Sequence, residues 1–249
     1  MRTRPIEHQF EFWTNLGKAG RYIHQVDGYN TLLSSKGTWP SKIFNLHNTN
    51  TSNLKHNILK HNLPNAIALD SSNELNQLLI KNGFKKTSVV EGMSLKVSSN
   101  MVFEQSSNIV KVEDEQGIRI FSNIASEAFG YNIHSISLMG LLKDVNTQLF
   151  IGKYKDQFVS CGILFLDKSK HSGLHMIGAN KQFRGLGLGK EMTQHLLFKA
   201  IENKSSNIHL VASKFGAPIY RKYGFLNKGY LNTYTLEDFE IDMKKTDRK

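Results

Sequence analysis

"KQFRGLGLGK", residues 181–190, sets three glycines two positions apart, Gly185, Gly187 and Gly189, between Arg184 and Lys190. The strand-like run "SGLHMIGAN" (172–180) leads straight into it. Beyond it, "KEMTQHLLFKAIENK" (190–204) carries Met192, Leu196, Leu197, Ala200 and Ile201 along one side at helical spacing. Strand, glycine loop and helix in that order bring backbone N–H groups close to an anion, and the helix beginning near Gly187 aims its positive end at the same point. The spacing excludes two phosphate cradles. A dinucleotide fingerprint needs a third glycine where Lys190 stands, and a P-loop needs Gly in place of Arg184 and Ser or Thr in place of Glu191.

Outward from the loop, the second half of the chain alternates strand and helix patterns. "NIVKVED" reads as a strand, and "EQGIRIFSNIASEAFG" as a helix closed by Gly130. "TQLFIGKY" and "FVSCGILFLD" read as a hairpin around "KDQ". After the loop helix come a strand "NIHLVAS", a short helix "FGAPIYRKYGF" broken by Gly224, and a last strand "YLNTYTL". The first hundred residues are less regular. "HQFEFWTNL" offers aromatics to cover an apolar surface, "TWPSKIF" reads as a turn into a strand, and the polar "NLHNTNTSNLKHN" as a surface connection. Residues 65–86 repeat the pattern of 207–228: strand, small-residue turn, helix and Gly-Phe stop. With Gly83-Phe84 laid on Gly224-Phe225, Ser72 falls on Ser213 and Leu79 on Tyr220, and no glycine loop precedes the first copy.

Gln182-Phe183-Arg184-Gly185-Leu186-Gly187 matches the Q/R-x-x-G-x-G/A signature of the GCN5-related N-acetyltransferase (GNAT) superfamily. Downstream, Ala217, Ile219, Tyr220, Gly224 and Phe225 look like that superfamily's second motif, in the expected order and at the expected distance. The resemblance covers residues 108–240 or so. It implies an α/β fold (α+β in some schemes): a mixed sheet flanked by helices and splayed to admit a pantetheine arm. The expected division is an N-terminal lobe of partly similar design lacking the cofactor loop (1–105), a catalytic domain (106–240) and a basic tail (241–249). The implied activity is transfer of an acetyl group from acetyl-coenzyme A to a primary amine by direct attack in a ternary complex. The competing class is a non-catalytic module that binds coenzyme A or nucleic acid, against which a retained Tyr220 argues.

Residue by residue, the resemblance puts the pyrophosphate on the backbone of Arg184, Gly185, Leu186, Gly187, Leu188, Gly189 and Lys190, with Gln182 opening the motif. Ile177, Gly178 and Ala179 would pair with the pantetheine and face the thioester carbonyl. Tyr220 would be the general acid toward the departing thiolate. Ser213 stands where many members carry a pantetheine-binding Asn, and His175 is the strand's candidate base in place of the family's acidic residue.

Composition agrees with this reading. A net charge of +11 suits an anionic partner, and coenzyme A is one, while the scattered basic residues form no nucleic-acid module, so nucleic acid is not expected. The lone Cys161 suits a reducing cytoplasm, no run approaches a membrane span, and oligomeric state is left open. His171 and His175, four apart on a strand, lie about 13 Å from each other, too far to share a metal, and no metal is expected.

Overall fold

A computed structural model describes residues 4–34 and 39–236; the basic tail expected at 241–249 lies outside the described residues. Eleven strands among them form one mixed sheet: β1 (Ile23–Val26), β2 (Tyr29–Leu32), β3 (Lys42–Phe44), β4 (Ile67–Asp70), β5 (Phe84–Lys96), β6 (Ile109–Lys111), β7 (Thr147–Tyr154), β8 (Gln157–Leu166), β9 (Ser172–Ala179), β10 (Asn207–Ala212) and β11 (Leu226–Leu236). Their spatial order is β1-β2-β3-β4-β11-β5-β10-β9-β8-β7-β6. The β3·β4 and β9·β10 pairs are parallel, and the other pairs are antiparallel.

Among the described residues six α-helices flank the sheet: α1 (Pro5–Ala19), α2 (Thr51–Leu59), α3 (Leu75–Lys81), α4 (Glu115–Phe129), α5 (Leu188–Glu202) and α6 (Ala217–Lys222). Strand alternation sorts them onto faces. Phe44 turns to the cluster that holds α1 (Ile6, Phe12, Leu16) and α4 (Ile118, Phe121), whereas its neighbour Ile43 packs with Leu54 and Ile58 of α2 and Leu79 of α3. Likewise Leu174, Ile208 and Leu210 meet Met192 and Leu196 of α5. Pro5 at the first turn suits its fixed φ to the start of α1. Asp114 caps α4 by accepting from the Gly117 N–H at 2.7 Å, and Gly130, at φ +80°, ends it in the left-handed region.

The repeat seen in the sequence has the same local structure in both copies. β4-α3-β5 and β10-α6-β11 follow one plan, with Gly83 and Gly224 at φ +87° and +88°. Their last strands are exchanged: β5 pairs with β10, β11 pairs with β4, and β5 and β11 pair with each other at the centre. Val90 faces its own repeat equivalent, Leu231, across that central ladder. The hairpin expected around "KDQ" closes on Lys155 and Asp156, both at positive φ, the two-residue turn whose twist suits paired strands.

One expectation is corrected. The polar stretch expected as a surface connection contains most of α2, begun by Asn50, whose side chain accepts from the N–H groups of Ser52 and Asn53. Only Thr51, Leu54 and Ile58 of this helix are buried, so its apolar period is too sparse to stand out in the sequence.

Candidate active site

The cleft arises from a failure of pairing. β9 runs parallel to β10 only from Ser172 to Leu174, opposite Ile208 to Leu210. Past that point β9 stays with β8, where the register breaks between Cys161 and Ile163, and Met176 takes φ +50°. Met176 to Ala179 therefore turn away from Val211 and Ala212, and a cavity of about 480 Å³ opens between the two strands. Met176, Ile177, Gly178 and Ala179 form one wall, and Ala212, Ser213, Ile219 and Tyr220 form the other.

At the mouth of the cleft lies the glycine loop. A short 3-10 turn, Lys181–Phe183, leads to Gly185 at φ +83° and Gly187 at φ +81°, and α5 starts at Leu188. A Cβ on Gly185, Gly187 or Gly189 would meet nothing within 4 Å, so no internal packing demands glycine at any of them. Backbone conformation demands it at 185 and 187, and at 189 it leaves the approach to the helix end clear. The N–H groups of Leu188, Gly189 and Lys190 open α5 and so lack intrahelical acceptors, and its N-cap, Gly187, has no side chain to cap them. Leu188 buries its side chain in the core, which leaves its backbone alone for a ligand. Gln182 and Lys190 are exposed around the loop. The Arg184 guanidinium donates to the Ala128 carbonyl at the end of α4, 3.1 Å away, and so anchors the loop through its side chain.

Tyr220 sits on α6 with its ring against Phe225, centroids 6.0 Å apart, and burial pushes its hydroxyl up to about 12. Tyr223, one turn later, instead packs edge-on to Phe103 and lines no part of the cavity. Ser213 lines the cleft while its Oγ accepts from the Gly216 N–H at 3.2 Å, holding the turn that launches α6.

His175 also reaches the cavity, but its surroundings weigh against the proton-accepting role expected of it. Its ring stacks on Phe12 at 4.0 Å, Nε2 is buried without a hydrogen-bond partner, and burial lowers its pKa to about 3. So weak a base draws a proton from an ammonium poorly. It belongs to a buried group with His8, His171 and His209 that fastens α1 to β9 and β10. Its partner residues in the cleft include several with no sequence signal: Gln9, Trp13, Trp39 and Lys42, brought over β9 from the first half of the chain. Trp39 is held there by a parallel bridge to Ile133. Among the described residues no group of His, Cys, Asp and Glu could hold a metal ion, and no helix is long and apolar enough to cross a membrane.

Comparison with known proteins agrees with this geometry. The family model described as "Acetyltransferase (GNAT) domain" matches residues 109–233. A Bacillus subtilis (strain 168) protein named "Uncharacterized N-acetyltransferase YitH" is 33% identical over 89 residues, 36% of this chain, and the match spans 30% of that protein's length. Among solved structures, a GCN5-related N-acetyltransferase from Kribbella flavida superposes with a TM-score of 0.69 at 13% identity, over 94% of this chain and 95% of that one. One from Sphaerobacter thermophilus superposes at 0.59 and 11% identity, over 89% and 84%. At these identities the superpositions establish the fold, including that of the first half.

Proposed function

The chain belongs to the GNAT acetyltransferase family, and from that premise we propose that it moves an acetyl group from acetyl-coenzyme A to a primary amine in a ternary complex. The observation that carries the proposal is the placement of Tyr220 in the cleft between β9 and β10, with the uncapped end of α5 at its mouth. The amides of 184–190 take the pyrophosphate, and Met176 to Ala179, unpaired on the β10 side, give the pantetheine a strand edge. An amide among Ile177 to Ala179 stabilises the oxyanion as the amine attacks.

Tyr220 then supplies a proton to sulfur. At about 12 its pKa keeps the phenol fully protonated near neutral pH. It is a weaker acid than a thiol, so it transfers the proton only as the carbon–sulfur bond breaks and charge gathers on sulfur. The amine forms the new carbon–nitrogen bond, and the proton it sheds balances the one Tyr220 gives up. His175 serves as a wall. We also propose that 1–105 is a lobe of the same design without a cofactor site, that 106–240 is the catalytic unit, and that the protein works in the cytoplasm.

The test is release of free thiol from acetyl-coenzyme A with a panel of amines, alongside calorimetry. Wild type should turn over at least one amine, and Tyr220→Phe should bind the cofactor equally well while losing turnover. Binding by both proteins with turnover by neither would favour a non-catalytic coenzyme A module.

A further inference from the structure

Beyond the place for the acetyl group, the first half of the chain joins Phe129 and Tyr131 in lining the cavity, and the chemistry there is uneven. Trp13, Trp39, Phe129 and Tyr131 give it aromatic walls. Into this setting β3 places one charged side chain, Lys42, and among the described residues no aspartate or glutamate lines the space. The Lys42 ammonium lies 4.1 Å from the centre of the Trp13 ring, and no acidic side chain among the described residues is paired with it. Burial is the sole cause of its pKa falling to about 8. It still carries most of its charge at neutral pH.

A cation on aromatic rings gains a little from their faces, but a half-desolvated ammonium without a counter-ion is costly to keep. The lysine lies on the acceptor side of the cleft, whereas the phosphates of the proposed donor belong at the glycine loop outside its mouth. The counter-ion must therefore come with the acceptor.

We propose that the acceptor is a small amine bearing a carboxylate and an apolar or aromatic body, with Lys42 as the residue that selects the carboxylate. This rests on the acetyl-transfer reading above. Pairing the carboxylate with Lys42 lays the apolar part between Trp13, Trp39, Phe129 and Tyr131 and leaves the amine to reach the thioester. A cavity of about 480 Å³, part of it taken by the pantetheine end, fits a molecule of amino-acid size. Lysine side chains of proteins, with no carboxylate near their amine, fit this arrangement poorly.

The experiment compares phenylalanine with phenylalaninamide, the same body with and without the carboxylate, on wild type, Lys42→Met and Lys42→Arg. Methionine keeps the apolar stem against Trp13, and arginine keeps the charge. The expected result is a preference of wild type for phenylalanine of about 10–100-fold in kcat/KM, lost in Lys42→Met and partly restored in Lys42→Arg. In wild type kcat/KM should also show an alkaline limb near pH 8 that Lys42→Met lacks. The other titratable groups of the cavity do not titrate there: His175 is held neutral, and burial raises Tyr131 and Tyr220. Equal use of acid and amide by wild type, or an unchanged preference in Lys42→Met, overturns the proposal while leaving acetyl transfer intact. If neither compound is turned over, calorimetry with coenzyme A present decides. Phenylalanine bound by wild type and not by Lys42→Met supports the carboxylate site, and no binding by either refutes it. Failure of acetyl transfer itself shows separately, as absence of thiol release with every amine.

Discussion

β3-α2-β4-α3-β5 and β9-α5-β10-α6-β11 are laid out in the same order on one sheet, and the cleft that holds Tyr220 opens in the second, between β9 and β10. The difference lies at the helix that follows the parallel strand. In the first half, the Asn50 side chain occupies the start of α2, accepting from the N–H groups of Ser52 at 3.0 Å and Asn53 at 3.1 Å. In the second, Gly187 stands at the N-cap of α5 and offers no side-chain cap. At the position equivalent to Tyr220, Leu79 is fully buried in the core. Nearby, the Tyr234 hydroxyl donates to Asn76 at 2.6 Å, and Asn232 donates to the same oxygen. One frame thus carries a helix end satisfied internally in the first half and a bare one in the second, and the bare end is the one proposed to take the pyrophosphate.

The sharpest contrast comes from the two equivalent positions. Tyr220→Phe should lower kcat by about 10²–10⁴-fold at unchanged cofactor affinity, as removal of a general acid does. Leu79→Ala should instead cost about 2–5 kcal/mol of stability in denaturant unfolding and leave KM for acetyl-coenzyme A alone. Equal effects of both on turnover would break the comparison.

Acid should act where the halves meet. Burial lowers His8 well below its usual range, His175 to about 3 and His209 to about 4. Below pH 6.5 the unfolded chain takes up protons that the folded protein refuses, so stability is full above that pH and falls through the window down to these folded values. His175 alone accounts for about 2 kcal/mol lost between pH 7.5 and 5. Unfolding midpoints measured across that range check this, and a flat profile would contradict it.

Smaller effects separate the two helix ends. Asn50→Ala should lose about 1 kcal/mol of stability with no change in cofactor binding. Gly189→Ala should gain up to about 1 kcal/mol, since its Cβ meets nothing in the protein, while weakening cofactor binding by standing in the approach to the helix end. Paired thermal unfolding and calorimetry distinguish the two.

The sequence made some of this legible and hid the rest. The glycine spacing and the loop helix could be read because each depends on local chemistry, positive φ at Gly185 and Gly187 and an apolar stripe along α5, whereas Tyr220 was singled out through the family resemblance. α2 was hidden because its stability rests on Asn50 and a few buried residues. The exchange of β5 and β11 was hidden because strand partners are set by tertiary packing. The burial that weakens His175 as a base and the stacking of Lys42 on Trp13 are contacts across distant parts of the chain, which no spacing encodes.

The central claim is that each chain holds one cofactor site, at the bare end of α5. Calorimetric titration of acetyl-coenzyme A into wild type and Gly187→Glu tests it most directly, because the substitution sets a side chain and a negative charge where the pyrophosphate belongs. The expected result is one molecule bound per wild-type chain and none by Gly187→Glu while the variant remains folded. Two molecules per chain, or undiminished binding by folded Gly187→Glu, would contradict it.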